Sequence, residues 1–384
     1  MLEKIIIKNV NSIDVCKLDF TKGNYRYLEE NVKGDIVNPI GIYGHNGSGK
    51  SSILNAMAQF IGMMSLPAEA LSPFVVNNFL FEKYIQGQRK DKCLAQGSVE
   101  LFFNIDGKAY DYFLQTSRDN YVSSEYLKVD ANTYFEINDG KYYFDGSEYS
   151  IENKTTSRLV PFLRVLASSG ITNSTIQTVF NYIKSFTHVN AAFINRGAFV
   201  TSSIFNNTSV FDLLTNHSSE IKDILKQYRD FPVYSIEKNN VVMPNGLVSQ
   251  QYNVVLEGDG FKGKIPYDFI STGMQNQSML LSILLSMPKY SVLFIDDVDI
   301  ALHPNTLNGF LGAIRHSDIQ VIMTLHNTNA MQNLRPDQIF FTYWSKGFST
   351  CRRLSKIYPN IREINNIEKM YLSSTFDDGM KDAE

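Results

Sequence analysis

Residues 44–51 form the pattern G-x-x-x-x-G-K-S, whose residue types suit the binding of a phosphate chain. Glycines let backbone N–H groups curl around a β-phosphate, and a helix that starts at the loop adds the positive end of its dipole. The Lys50 ammonium would reach the β- and γ-phosphates, and the Ser51 hydroxyl would bind Mg²⁺. We therefore expect a nucleoside triphosphate, ATP, to be bound by the residues Gly44, His45, Asn46, Gly47, Ser48, Gly49, Lys50, Ser51 and Ser52.

Two adjacent carboxylates, Asp296 and Asp297, follow the apolar run 291–295. An acid at the carboxyl end of a buried parallel strand lies beside the phosphate loop, where it can hold the Mg²⁺ shell. We assign that role to Asp296. Asp297 is then placed to orient and polarise the attacking water. The alternative is a strand that ends in two acids because a helix begins there.

Two weaker signals occur in the same part of the chain. Ser271 and Gly273 belong to a loop of small residues before a helical pattern, which predicts a second phosphate contact at a helix N-terminus or else a plain helix cap. His326 follows the apolar run 320–324 and is suited to sensing a γ-phosphate. A histidine at a strand end can also be structural, so neither residue identifies a site alone.

The elements that must position these residues alternate in type. The apolar run 40–43 predicts a buried strand before the glycine loop, and 51–64 has the apolar spacing of a helix. From residue 278 onward helices alternate with strands, which indicates a parallel α/β sheet. Residues 97–150 instead alternate as short hairpin strands. We also predict helices over 157–186 and 218–228, a strand pair over 233–256, and strands over 4–20, 292–295, 320–324 and 338–341.

The composition excludes several classes of protein. Lys and Arg total 36 against 39 Asp and Glu, so the chain is not coated in basic residues for nucleic acid. The three cysteines are isolated in sequence, which argues against a disulfide framework or a zinc ribbon and favours a reducing cytoplasm. The apolar stretch 279–287 is too short to span a bilayer. We expect a soluble cytoplasmic protein with no membrane partner.

Taken together, the motifs resemble the ATP-binding-cassette (ABC) type of ATPase head. More narrowly, the chain resembles short ATPases of the OLD-like and abortive-infection group, in the acid-rich run 297–304 that ends in Leu-His-Pro, in Thr-Leu-His-Asn-Thr at 324–328, and in 334–340. The resemblance implies an α/β fold, a P-loop NTPase of ABC-head type, with a mixed sheet, an antiparallel β region and a helical subdomain. It divides the chain into a core (1–96 and 257–375), an inserted β-rich and helical region (97–256) and a flexible acidic tail (376–384).

Such heads act in pairs, so the resemblance implies a homodimer or higher oligomer. Two nucleotides would be sandwiched head-to-tail, each between the Lys50 loop of one copy and the Ser271–Gly273 loop of the other. The implied catalytic residues are Lys50, Asp297 and His326, and the implied Mg²⁺ ligands are Ser51 and Asp296. The implied function is an ATP-hydrolysing switch that controls a partner effector, a nuclease or toxin, in bacterial anti-phage defence.

The sequence departs from this pattern in places. Asp297 stands where the family usually has Glu, the 271–273 loop is Ser-Thr-Gly rather than Ser-Gly-Gly, and no glutamine is marked as the residue that links Mg²⁺ to the helical subdomain. The Toprim nuclease domain of full OLD proteins is not found after residue 345. No motif in the sequence indicates a preference for ATP over GTP either.

Three other functions stay open at this point. The first is a DNA-repair or DNA-end-binding ATPase of RecF or chromosome-structuring (SMC) type, which predicts a basic surface. Such a surface could come from Lys83, Arg89, Lys90 and Lys92, although a solvated charged loop explains that cluster as well. The others are a transporter ATPase subunit, disfavoured by the strand-rich spacer, and a module that holds ATP without turnover.

Overall fold

The computed structural model describes most of the chain. The described residues are 1–74, 96–117, 121–138, 141–144, 147–149, 159–169, 173–192, 200–202, 205, 210–228, 233–258, 261–300, 302–345 and 347–377. The predicted basic cluster of Lys83, Arg89, Lys90 and Lys92 lies outside these residues, as do residues 378–384 of the predicted tail.

The strands of the described part are numbered in chain order. They are β1 (Leu2–Val10), β2 (Ile13–Asp19), β3 (Val32–Lys33), β4 (Ile36–Val37), β5 (Ile40–Gly44), β6 (Gly97–Ile105), β7 (Lys108–Ser117), β8 (Tyr121–Val129), β9 (Asn132–Asn138), β10 (Lys141–Phe144), β11 (Ser147–Tyr149), β12 (Thr187–Asn190), β13 (Val200–Ser202), β14 (Val233–Val242), β15 (Val248–Gly258), β16 (Phe261–Pro266), β17 (Val292–Asp296), β18 (Gln320–Thr324), β19 (Ile339–Ser345) and β20 (Phe348–Arg353).

The helices are numbered in the same way. They are α1 (Lys50–Ser65), α2 (Phe162–Ser168), α3 (Ser174–Lys184), α4 (Val210–Asn216), α5 (Ser218–Tyr228), α6 (Thr272–Ser286), α7 (Pro304–His316), α8 (Leu354–Ile357) and α9 (Ile367–Leu372). Among the described residues, none of these helices is both long enough and apolar enough to cross a bilayer.

One large sheet runs through the molecule and has two halves. Its strand order is β11-β10-β9-β8-β7-β6-β1-β2-β20-β19-β5-β18-β17-β12-β13. The strands from β11 to β2 pair antiparallel, whereas β19, β5, β18, β17 and β12 are parallel to one another. The carboxyl ends of the five parallel strands therefore meet at one edge of the sheet. This edge positions the site.

A layer of helices covers each face of the sheet. The apolar face of α1, with Leu54, Met57 and Phe60 buried, packs in the core that also includes α2, α3 and the inner residues of β6–β9. The other core holds α6, α7 and the second face of β17 and β18. Parallel strands buried on both faces read as continuous apolar runs, which explains why 292–295 and 320–324 were predicted so closely.

The inserted region 97–256 contributes strands to the large sheet. Strands β6–β11 continue the large sheet because β6 pairs with β1, and β12 enters the parallel half beside β17. The predicted strand pair over 233–256 is a three-stranded sheet with β16 as its third strand. At the first residue of the predicted tail, Phe376 is 1% exposed and stacks on Phe341 with ring centroids 5.5 Å apart.

Candidate phosphate and magnesium site

The phosphate loop joins the end of β5 to the start of α1. Gly44, Gly47 and Gly49 all have positive φ, at 155°, 78° and 104°. A Cβ added to Gly49 would lie 2.3 Å from the Ser349 hydroxyl oxygen, so the loop needs glycine there for space as well as for conformation. The first helical turn at Lys50 leaves its backbone N–H groups directed at the loop, as a phosphate site requires.

Lys50 lies over the first half of the phosphate loop. Its side chain is 5% exposed, and Nζ donates to the carbonyl oxygens of Gly44 at 2.8 Å and His45 at 3.3 Å. Burial lowers the pKa of Lys50, while the neighbouring carboxylates of Asp297, Asp296 and Asp299 oppose that shift. The ammonium is thus held among acids and two carbonyl groups, where phosphate oxygens can replace the carbonyl contacts.

Serine and threonine hydroxyls support the loop from neighbouring strands. The Ser12 hydroxyl donates to that of Ser52 at 2.9 Å and shares a hydrogen bond with Ser349 at 2.8 Å. On the other side, the hydroxyls of Ser48 and Thr342 are 2.6 Å apart. The loop is therefore fastened to β19, β20 and the turn between β1 and β2. The sequence pattern included Ser48 and Ser52 but gave no sign of Ser12, Thr342 and Ser349.

Asp296 ends β17 and is 2% exposed. The Thr324 hydroxyl donates to its Oδ1 at 2.7 Å, and the nearby Ser51 side chain lowers the pKa of this carboxyl. Burial raises the pKa of Asp296, the hydrogen bond from Thr324 lowers it, and the adjacent Asp297 raises it again. A buried carboxylate beside a serine hydroxyl is an oxygen donor set that suits Mg²⁺, which takes one or two carboxylates together with phosphate oxygens and water.

Asn190, which no sequence pattern indicates, lies beside Asp296. Strand β12 runs parallel to β17 with Asn190 in register with Asp296, and Asn190 Nδ2 lies 3.5 Å from Asp296 Oδ2. Its Oδ1 accepts a hydrogen bond from the Ala192 backbone at 3.1 Å, which fixes the orientation of the amide. Only the register between β12 and β17 reveals this residue, because no motif surrounds it in the sequence.

Asp297 and His326 lie side by side at the same edge. Asp297 adopts the left-handed conformation, with φ at 54°, and its backbone N–H donates to the Thr324 hydroxyl at 2.8 Å. His326 Nε2 is 3.2 Å from Asp297 Oδ1, and the two side chains are 47% and 21% exposed. A non-glycine residue with positive φ is uncommon, and such residues cluster at functional sites.

A third acid, Asp299, holds the segment that carries His326. Its Oδ2 accepts the backbone N–H of His326 at 2.7 Å and that of Asn327. Asp299 belongs to the acid-rich run 297–304, in which no motif assigns it a role. The structure shows it as a positioning residue for the histidine segment.

The Ser271–Gly273 loop lies at the N-terminus of α6. Ser271 is the N-cap residue, and its Oγ accepts the Met274 backbone N–H at 3.3 Å. Ser271 is exposed, and none of the hydrogen bonds among the described residues links it to the phosphate loop. The loop does form the plain helix cap that was the alternative, and Ser271 and Thr272 are exposed.

The chain matches the family model described as "AAA domain, putative AbiEii toxin, Type IV TA system" over residues 40–332. No curated protein sequence matches it. Among solved structures, an Smc head bound to the C-winged helix domain of ScpA has a TM-score of 0.51 at 15% identity, covering 91% of this chain and 96% of that one.

Two further solved structures are similar over most of their length. The SMC head domain from Thermotoga maritima has a TM-score of 0.46 at 15% identity, covering 92% of this chain and 98% of that one. The recombination mediator protein RecF with ATPrS has a TM-score of 0.38 at 12% identity, covering 91% and 98%. The similarity to the ScpA-bound head confirms the predicted α/β fold with a mixed sheet. The family model confirms the predicted P-loop ATPase.

Proposed function

The chain belongs to the AAA-domain ATPase family of the abortive-infection group, and we propose that it is an ATP-driven switch that closes on ATP with a second copy of itself. In this proposal the phosphate loop of one copy and the Ser271–Gly273 loop of the other hold each nucleotide. The γ-phosphate then links two surfaces, so hydrolysis releases them.

One observation carries the proposal. The described chain brings Lys50, Asp296, Asp297 and His326 together at one sheet edge. Ser271 is exposed at the start of α6, and no hydrogen bond among the described residues joins it to that edge. A helix N-terminus with free N–H groups binds anions. A half-site with a phosphate loop and a separate anion-binding helix end is completed by a second copy in the head-to-tail arrangement.

The residues of this chain divide the chemistry between them. Lys50 and the loop N–H groups bind and orient the β- and γ-phosphates. Ser51, Asp296 and Asn190 would hold Mg²⁺, directly or through its water ligands, and the ion would supply charge neutralisation on the phosphate oxygens. Asp297 orients the attacking water and accepts its proton, and His326 donates a hydrogen bond to the γ-phosphate while Asp299 fixes the histidine segment.

We propose that the controlled partner is a toxin or nuclease effector in an anti-phage system, with action in the cytoplasm. The support is the family description, which names an AbiEii toxin and a type IV toxin–antitoxin system. Co-expression with the product of the adjacent gene tests this part. We expect a complex that either dissociates when ATP is added or forms only with ATP. A partner that co-purifies neither with nor without ATP would contradict effector control.

The dimer is tested with a variant that binds ATP but does not hydrolyse it. Asp297→Asn keeps the size of the side chain but removes the base, so ATP turnover should fall by about 100-fold or more, and dimers should accumulate with ATP in light scattering. Adding Ser271→Arg should leave the single chain able to bind a fluorescent ATP analogue but block pairing. Ser219→Arg, on an exposed helix end, is the matched control, and Lys50→Ala is the control that loses ATP binding. If Asp297→Asn hydrolyses ATP at the parent rate, Asp297 is not the base that accepts the proton of the attacking water.

A further inference from the structure

A rigid turn presents the ring of Phe269 to solvent. Phe269 is 80% exposed, at the end of the 3-10 turn Tyr267–Phe269 and two residues before Ser271. The turn is fastened to α6, because the buried Tyr267 donates its hydroxyl to the Gln275 carbonyl at 3.1 Å and its own carbonyl accepts from the Gln275 amide at 3.1 Å. A large apolar ring held in water on a fixed support is typical of an interface anchor.

A cavity of about 430 Å³ lies against the phosphate loop. Loop residues 44–48 form one wall, and Trp344 and Tyr371 are among the side chains of the other. The rings of His45 and Tyr371 stack with centroids 6.4 Å apart, and Trp344 is 49% exposed at the rim. Aromatic walls favour an apolar or aromatic group as the occupant of this cavity.

The positions of the loop and of Phe269 connect these two features. The Lys50 ammonium contacts the carbonyls of Gly44 and His45, so the terminal phosphates would lie over the half of the loop that also walls the cavity. We take a second copy whose Ser271 contacts that phosphate. The Cα atoms of its Phe269 and Ser271 are two residues apart and therefore at most about 7 Å from each other. The ring of the second copy is therefore within reach of the cavity.

We propose that the Phe269 ring of a second copy inserts into this cavity when two copies close on ATP. The inference rests on the proposed head-to-tail pair and deepens it by naming the apolar contact that stabilises the closed state. A second copy is the occupant because the phosphate loop forms the cavity wall and Phe269 adjoins the loop that would approach the same phosphate. In the closed pair, ATP then sets the relative position of the two copies, and the inserted Phe269 ring increases their affinity for each other.

The molecule contains its own reporter for this contact. Trp344 is the one tryptophan of the 384-residue sequence and stands at the rim of the cavity. In the Asp297→Asn protein, ATP should shift the Trp344 emission to shorter wavelength and reduce its quenching by acrylamide as pairs form. The same protein with Ser271→Arg binds ATP as a single chain, so any change that persists there comes from the nucleotide rather than from pairing.

The decisive variant is Phe269→Ala in the Asp297→Asn background. Pairing should weaken by roughly 30-fold and the pairing-dependent Trp344 shift should disappear at concentrations where the parent pairs, while the single chain still binds the fluorescent ATP analogue. Phe269→Leu should restore much of the pairing, because an apolar side chain remains. Ile364→Ala, at a side chain that is 87% exposed, is the matched control and should pair like the parent.

The outcomes separate the two proposals. Phe269→Ala protein that pairs as tightly as its parent, or pairs that leave Trp344 as open to acrylamide as in the single chain, would overturn the insertion while leaving the head-to-tail pair intact. Failure of the Asp297→Asn protein to pair at any ATP concentration would overturn the dimer and the insertion together.

Discussion

Two buried carboxyl groups, Asp296 in the parallel half of the sheet and Glu125 in the antiparallel half, show how burial leads to different roles. Asp296 is 2% exposed and Glu125 is 0% exposed, so both lose nearly all contact with water. Burial raises the pKa of each, in the case of Glu125 to about 7. Both groups are tolerated in the interior because hydrogen-bond donors contact their oxygens. The donors of the two groups differ in kind.

Glu125 is satisfied completely by the fold. Its carboxyl oxygens accept the Tyr112 hydroxyl at 2.8 Å and the backbone N–H groups of Phe162 at 2.5 Å and Leu163 at 2.8 Å, at the start of α2. Asp296 instead accepts a hydrogen bond from the Thr324 hydroxyl and lies 3.5 Å from the Asn190 amide nitrogen, at a sheet edge beside Lys50. The first group fastens a helix to a strand, and the second keeps capacity for a cation. Burial alone therefore does not mark a functional carboxylate.

Among the variants that test this comparison of the two carboxyl groups, Asp296→Asn is expected to have the largest effect on turnover. The amide keeps a hydrogen bond with Thr324 but loses the charge that would hold Mg²⁺, so the ATPase rate should fall on the order of 100-fold. Removal of a buried charge should leave the thermal midpoint unchanged or raise it. Steady-state kinetics and thermal unfolding of the same sample measure both. A variant that loses activity because it unfolds would contradict the comparison between the two carboxyls.

A smaller effect is expected from Asn190→Ala. Loss of the amide beside Asp296 should lower the apparent Mg²⁺ affinity by about 10-fold, because groups that orient a metal ligand typically have effects of this size. Titration of ATPase activity with Mg²⁺ separates this effect from a change in kcat. Asn240→Ala, on the exposed ribbon of β14, is the matched control. If the Mg²⁺ titration curves of the two variants coincide, Asn190 only shapes the end of β12.

No effect on turnover is expected from Glu125→Gln, but the pH dependence of stability should change. A carboxyl whose pKa is raised from 4.5 to about 7 binds its proton more tightly in the folded chain, so it destabilises the fold progressively as pH rises through that window. Relative to the Gln variant, the parent should lose about 2 kcal/mol of unfolding free energy between pH 5 and pH 8. Urea unfolding at both pH values measures the difference. Parallel curves for the two proteins would show that Glu125 stays ionised.

Much of the site was readable because its chemistry is local. The pattern 44–51 requires glycine at fixed positions and a lysine directly after the last glycine. The paired acids 296–297 directly follow a continuous apolar strand. Such features depend on neighbours within a few residues, so they survive in the sequence. The confirmed family, the P-loop ATPase fold and the mixed sheet followed from them. The site roles stay predictions.

The contacts that complete the site come from distant parts of the chain and were decided only by the tertiary structure. Asn190 meets Asp296 across 106 residues because β12 and β17 are parallel neighbours in register. Ser12 and Ser349 meet beside Gly49 across 337 residues, and Cys16 and Cys351, isolated in sequence, become cross-strand neighbours in β2 and β20. Sheet order and register arise from packing of both faces at once, and no short window of residues contains that information.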